Sequence, residues 1–412
     1  MWKCPRKPLW RCCGLSDGLA PEGPVCAGRG RKVQDIALYI HVPFCRQKCY
    51  YCDFVSFPYG QEPVQRYLKG LERELELYSR RLAAKRVKTL YFGGGTPSCL
   101  SARELAALLA LISRYVPAEQ IEEGTMECNP GTISREKLRI IKEAGINRIS
   151  LGVQALQDEH LARLGRIHRT EDVYRSYDLL RREGFHNIGF DLIFALPGQT
   201  LAQWEETLKG VLALAPEHIS TYNLIFEEGT PFHRWREEGK LVPPPEELDA
   251  AMYQLALEML PAAGYRQYEI ANFARRGREC RHNLTYWRNE PYLGLGPGAH
   301  SYDGKRSRWA NEASLEKYLA ALNEGRVPVA TREVLSLELE RAETVILGLR
   351  LCQGLERSRF QKRFQQDLFQ VYAGSLEKLA RQGLLEVVPR GIRLTKKGLF
   401  FANQVFLEFL PA

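Results

Sequence analysis

No apolar run in this sequence approaches the roughly 18 to 20 residues that a bilayer-spanning helix needs, which excludes an integral membrane protein. The N-terminus also lacks the apolar core of a secretory signal, so the eleven cysteines do not read as a disulfide framework. No internal repeat is visible. Charge is unevenly spread: residues 1–33 carry seven basic residues against Asp17 and Glu22, and so hold +5 of the net +9. A surface built for nucleic acid would carry its excess charge in the folded part, and the remaining 379 residues share only +4. Nucleic acid is therefore not an expected partner. An Arg-containing, acid-poor leader followed by a Gly/Pro-rich stretch resembles an organelle transit peptide, the alternative being a disordered tail without an address. It contains Cys4, Cys12, Cys13 and Cys26.

What is present is ordinary for a globular chain: 412 residues, 45% apolar, 26% charged, long enough for one large domain and a smaller one. Short runs rich in β-branched and aromatic residues alternate with amphipathic stretches. The runs are residues 37–43, 89–92, 124–128, 148–154, 187–196 and 218–226, each bounded by Gly, Pro or Asn. Between them, helical spacing begins behind Pro63 and recurs over residues 101–113, 134–143, 170–183 and 200–214. Such alternation predicts right-handed crossovers and a parallel sheet, here a partial (β/α)6 barrel. After about residue 245 the alternation lapses. A helix near 246–260 and a Tyr/Asn/Gly-rich region precede a mainly helical, winged-helix-like segment ending in a hairpin over 385–394. The expected divisions are a leader (1–33), a barrel core (34–245), a connecting region (246–311) and a C-terminal helical domain (312–412).

Cys45, Cys49 and Cys52 stand in the loop leaving the first predicted strand as Cys-x3-Cys-x2-Cys. In a barrel, the loops after the strands form the face where sites assemble. Three thiolates within eight residues can converge on one metal centre. A closed zinc site takes four ligands, as does a [4Fe–4S] cluster. Three cysteines on a cluster would leave one iron open to a ligand. A zinc site with a distant fourth ligand and unrelated buried cysteines are the alternatives. Gly93-Gly94-Gly95-Thr96-Pro97 follows the second strand, and without Gly-Lys-Ser/Thr it is not a phosphate loop. Residues without side chains there let a ligand approach the backbone. Glu127, Gln154 and Asp191 fall at or near later strand ends and Arg166 beyond the fourth strand, where an internal ion pair of Arg166 with Asp191 is the plain alternative.

The cysteine spacing resembles that of the radical S-adenosylmethionine (SAM) superfamily. Residues 39–45 (YIHVPFC), GGGTP, the Glu127 strand, LGVQ and DLIFALPG are similar, more narrowly, to the oxygen-independent coproporphyrinogen III oxidase family. The resemblance spans about residues 36–412. It implies a [4Fe–4S] cluster on Cys45, Cys49 and Cys52, with S-adenosylmethionine on the open iron. It further implies one S-adenosylmethionine at Tyr39, Gly94 and Glu127, and a second at Tyr51, Gly95, Thr96, Gln154, Arg166 and Asp191.

Two departures from the oxidase stand out. The oxidase has a fourth cysteine two residues beyond the third, where this chain has Phe54, and it has a substrate-contacting N-terminal arm that this chain lacks. Conversely, His282-Asn283-Leu284-Thr285-Tyr286-Trp287 fits His-Asn-x-x-Tyr-Trp and resembles the HemW branch of haem-binding proteins. An imidazole is a good iron ligand, and the Tyr/Trp pair offers a flat apolar wall to a porphyrin. A hydrogen-bonded His beside an aromatic cluster is the simpler reading, and Cys280 is a competing soft ligand. The resemblance implies a chaperone that delivers haem to acceptor proteins, fed by an electron donor to the cluster, with no assigned catalytic residue. The leader's likeness to a mitochondrial one, with haem completed there, points to the mitochondrial matrix. The alternative is an oxidase that decarboxylates porphyrin propionates.

Overall fold

A computed structural model describes residues 34–411. The leader, its four cysteines and its reading as a transit peptide lie outside these residues. Twelve strands of the described chain form one mixed sheet: β1 (Gln34–Val42), β2 (Lys85–Gly94), β3 (Glu123–Cys128), β4 (Arg148–Gln154), β5 (Ile188–Phe194), β6 (His218–Asn223), β7 (Arg266–Glu269), β8 (Asn272–Ala274), β9 (Tyr292–Leu295), β10 (His300–Tyr302), β11 (Ser307–Asn311) and β12 (Val329–Val334). Their spatial order is β12-β11-β10-β9-β1-β2-β3-β4-β5-β6-β8-β7. The six expected strands are parallel neighbours in chain order, joined by the expected helices.

Local chemistry explains the helix starts. Ser101 and Thr200 close capping boxes with Glu104 and Gln203, and the Ser134 hydroxyl accepts from the Lys137 amide. The helices cover the outer face. In β4, Ile149, Leu151 and Val153 are fully buried in the main core. Arg148, Ser150, Gly152 and Gln154 alternate with them and line an inner cavity. Strands β1 to β6 and β8 all contribute to that one cavity, so the sheet curves around it as a partial barrel.

The sequence pattern did not disclose the second half of the sheet. β9 adds to β1 in parallel, making a seventh parallel strand from the Tyr/Asn/Gly-rich region. Four residues are too few to show a period beside so many glycines. β12 likewise joins the sheet from a stretch read as helical, and helix Leu315–Asn323 packs on helix Gln61–Ala83. Leu315, Tyr318, Leu319 and Leu322 consequently belong to the main core, while a second core runs from Val345 to Phe409 with Ile270. The change of core thus comes later than the sequence boundary at 311/312. The second core surrounds a three-stranded sheet that includes the expected hairpin, Leu385–Val388 with Gly391–Leu394.

Candidate functional site

The three thiols of Cys45, Cys49 and Cys52 line the cavity at the end where the strands finish. Backbone bonding shapes their loop: the Cys52 amide donates to the Cys49 carbonyl, and the Tyr50 amide to the Leu164 carbonyl. Cys45 Sγ lies 3.5 Å from Thr96 Oγ1, and Arg166 Nη1 donates to Cys49 Sγ at 3.5 Å. Burial, then the neighbouring Cys49, pushes the Cys52 thiol up to about 11; burial also raises Cys45. Among the described residues no three His, Cys, Asp or Glu side chains are already gathered at ligating distance. The thiols share a cavity without being drawn to one point. All seven described cysteines are free, with Cys99, Cys128 and Cys280 buried.

Every residue that the resemblance assigns to S-adenosylmethionine reaches the same cavity: Tyr39, Tyr51, Gly94, Gly95, Thr96, Glu127, Gln154, Arg166 and Asp191. Glu127 accepts from Tyr91 Oη at 2.8 Å and from the Gly94 amide at 3.0 Å, tying the glycine run to β3. Tyr39 Oη lies 2.9 Å from His41 Nδ1. Gln154 is buried with φ +68°, an uncommon conformation for a residue with a side chain, and its Oε1 has no hydrogen-bond partner. An orphaned buried acceptor at a strained strand end fits a site shaped for a ligand. Three thiols, with the Arg166 guanidinium donating to one of them, likewise fit a cluster with an open position.

Arg166 and Asp191 do not pair with each other. Arg166 Nη2 donates to Asn129 Oδ1 and to the Gly152 carbonyl, both at 2.8 Å, whereas Asp191 accepts from Ser150 at 2.9 Å. Burial raises the Asp191 pKa against the pull of Ser220 and Ser150. Asn129 joins Arg166 to Thr96, whose hydroxyl accepts from Asn129 Nδ2 at 2.9 Å. Sequence reasoning passed over Asn129, Tyr91, Arg148, Ser150, His218 and Asn272, which also line the cavity. For those on the strands, the signal was the two-residue period running along each strand; Asn129 follows the end of β3.

His282, Asn283, Tyr286 and Trp287 line this cavity too, but from the opposite end. Helix Arg281–Trp287 sits where the strands begin. The amides of Arg281 and His282 donate to Glu123, the first residue of β3, at 3.0 Å each. His282 is 1% exposed, with Nδ1 2.9 Å from Thr89 Oγ1 and Nε2 2.9 Å from Tyr286 Oη. Both ring nitrogens are thus engaged beside the Tyr91 and Tyr286 rings. The helix closes the floor of the sheet. Cys280, just before it, is fully buried with Sγ 3.6 Å from Glu123, and burial pushes its thiol up to about 12.

Comparison with known proteins identifies the family. A model of the radical SAM superfamily matches residues 39–211, and one of the HemN C-terminal domain matches residues 335–401. The chain is 40% identical to the haem chaperone HemW of Bacillus subtilis, over 90% of this chain and 98% of that protein. It is 35% identical to the mitochondrial radical S-adenosyl methionine domain-containing protein 1 of Bos taurus, covering 92% and 88%. In fold it is similar to the radical SAM enzyme coproporphyrinogen III oxidase (HemN) of Escherichia coli, with a TM-score of 0.79, 26% identity and 92% and 90% coverage. The chain belongs to the HemW family within the radical SAM superfamily.

Proposed function

We propose that this protein is a haem-binding chaperone that holds a [4Fe–4S] cluster on Cys45, Cys49 and Cys52, binds S-adenosylmethionine, and passes haem to acceptor proteins. The observation that carries the reading is one cavity lined by the three thiols, the nine S-adenosylmethionine candidates and the His-Asn-x-x-Tyr-Trp helix. The name of the Bacillus subtilis relative, a haem chaperone, supports the same function. When bound, the cluster and S-adenosylmethionine supply one-electron and radical chemistry. The chain's own residues hold the thiols beside a guanidinium, keep the glycine run tied to Glu127, and exclude water behind the closed floor. An electron donor to the cluster belongs to this reading. So does a place in the mitochondrion, in keeping with the Bos taurus relative's name, and within it the matrix. No helix among the described residues is long and apolar enough to cross a membrane.

Haem ligation by His282 requires one of its two ring hydrogen bonds to open. The test is anaerobic titration of the reconstituted chain with haem. Stoichiometric binding, weakened in His282→Ala, is expected, and unchanged binding there removes His282 from the site. The likeness to coproporphyrinogen III oxidase keeps one second reading in view, decarboxylation of porphyrin propionates. Turnover of coproporphyrinogen III to protoporphyrinogen IX by the same preparation would establish that activity and overturn the chaperone. Phe54 at the position of the oxidase's fourth cysteine weighs against it.

A further inference from the structure

Arg148 opens β4 at the floor of the cavity, 2% exposed. Its Nε is buried without a partner, and among the described residues its guanidinium makes no hydrogen bond or ion pair. A guanidinium cannot escape burial by losing its proton, so five N–H donors stand in the interior unanswered. Two carboxylates lie within electrostatic reach, and both are occupied. Glu123 accepts from the Arg281 and His282 amides and from Cys280, and Asp191 accepts from Ser150.

His218 opens β6 beside it, 1% exposed. Its Nε2 lies 2.8 Å from Tyr268 Oη, which itself accepts from the Cys280 amide. Where the tyrosine hydroxyl gives its proton to Nε2, Nδ1 carries the imidazole hydrogen. That Nδ1 is buried without a partner. Burial and the Arg148 charge hold the imidazole neutral, so in that tautomer His218 offers a single directed donor rather than a second cation. The two groups converge on Gly189 of β5. A Cβ built there would lie 3.1 Å from Arg148 Nη2 and 3.2 Å from His218 Nδ1. Only a residue without a side chain lets both groups approach the strand this closely, and both line the cavity.

We infer that Arg148 and His218 form a carboxylate-binding subsite at the floor of the cavity. The planar guanidinium matches a carboxylate, and buried charge-assisted hydrogen bonds are the strong kind. Given the haem function proposed above, on which this identification rests, the carboxylate is a haem propionate. His282 and Trp287, which line the same cavity, place the His-Asn-x-x-Tyr-Trp helix at the same floor.

The experiment compares haem with its dimethyl ester, which keeps the iron and the ring and lacks both carboxylates, by absorbance titration of the full chain. The wild type should bind haem about tenfold or more tightly than the ester, the ratio set by one charge-assisted contact. In Arg148→Met that ratio should fall to near one. Gly189→Ala keeps both groups but crowds them out of their present positions, and should narrow the ratio in a chain that needs no buried charge removed. Equal affinity of the wild type for haem and ester overturns the subsite alone, leaving the donors to buried water. A ratio preserved in both variants overturns it as well. A wild type that binds no haem overturns the chaperone and this assignment together.

Discussion

Gly94 and Gly95 stand in the glycine run for reasons internal to the protein. Gly94 has φ +112°, and a Cβ there would fall 2.4 Å from the His41 ring; at Gly95 a Cβ would lie 2.6 Å from the Phe44 carbonyl. The sequence reading assigned these positions to ligand approach, and the structure shows that the chain's own atoms already crowd them. Gly94→Ala should therefore destabilise the apo chain by at least about 1–2 kcal/mol from the backbone conformation alone, read by denaturant unfolding. Stability equal to wild type would mean that the loop relaxes freely. At the cysteines, single replacements Cys45→Ser, Cys49→Ser and Cys52→Ser should each abolish the broad iron–sulfur absorbance of anaerobically reconstituted protein. Persistence in all three would remove the cluster from this loop.

Helix Gln61–Ala83 is locked to the sheet through one buried acid. Glu74 is fully buried, and its carboxylate accepts from the Gly296 amide at 2.8 Å, Asn311 Nδ2 at 2.6 Å and Tyr318 Oη at 2.7 Å. It thereby ties the long helix to the loop after β9, to β11 and to helix Leu315–Asn323. Burial raises its pKa to about 7, against the pull of its three donors. A carboxyl whose pKa is higher folded than unfolded stabilises most below its unfolded value, and that contribution is lost as pH rises through the folded value. Comparing wild type with Glu74→Gln cancels the other titrations. The stability difference should move against wild type by roughly 3 kcal/mol between pH 4.5 and pH 8. A difference flat with pH would show that the acid is ionised throughout.

Across the whole molecule, the second core is fastened to the floor of the first. Arg350 lies 3.5 Å from Glu269, both buried, and its guanidinium stands 4.2 Å from the centre of the Trp287 ring. Asn289 Nδ2 donates to Thr344 Oγ1 at 3.0 Å, and Arg363 donates to the Asn289 carbonyl at 2.8 Å. The C-terminal unit therefore holds the segment that closes the cavity. Arg350→Met should cost about 3–5 kcal/mol by stranding the Glu269 charge, and the double variant Glu269→Gln with Arg350→Met should recover a large part of it. Calorimetric unfolding measures both. A double variant no more stable than the single one would assign the loss to Trp287 packing instead.

The barrel half of this fold, its helix caps and the cysteine loop were legible in the chain itself. Strand period, Ser and Thr at helix starts and the spacing of Cys45, Cys49 and Cys52 are local properties, set by steric and hydrogen-bonding rules within a few residues. The same holds for the strand ends at Glu127, Gln154 and Asp191. The tertiary structure alone decided that β9 joins the sheet beside β1, because pairing between segments some 250 residues apart leaves no mark in either. It also decided that His282 lies at the floor, hydrogen-bonded at both nitrogens, while the cysteines lie at the rim. Arg148 and His218 show the division most plainly. Each is an ordinary strand-opening residue in the sequence, and only the curvature of the sheet brings their unanswered donors together over Gly189.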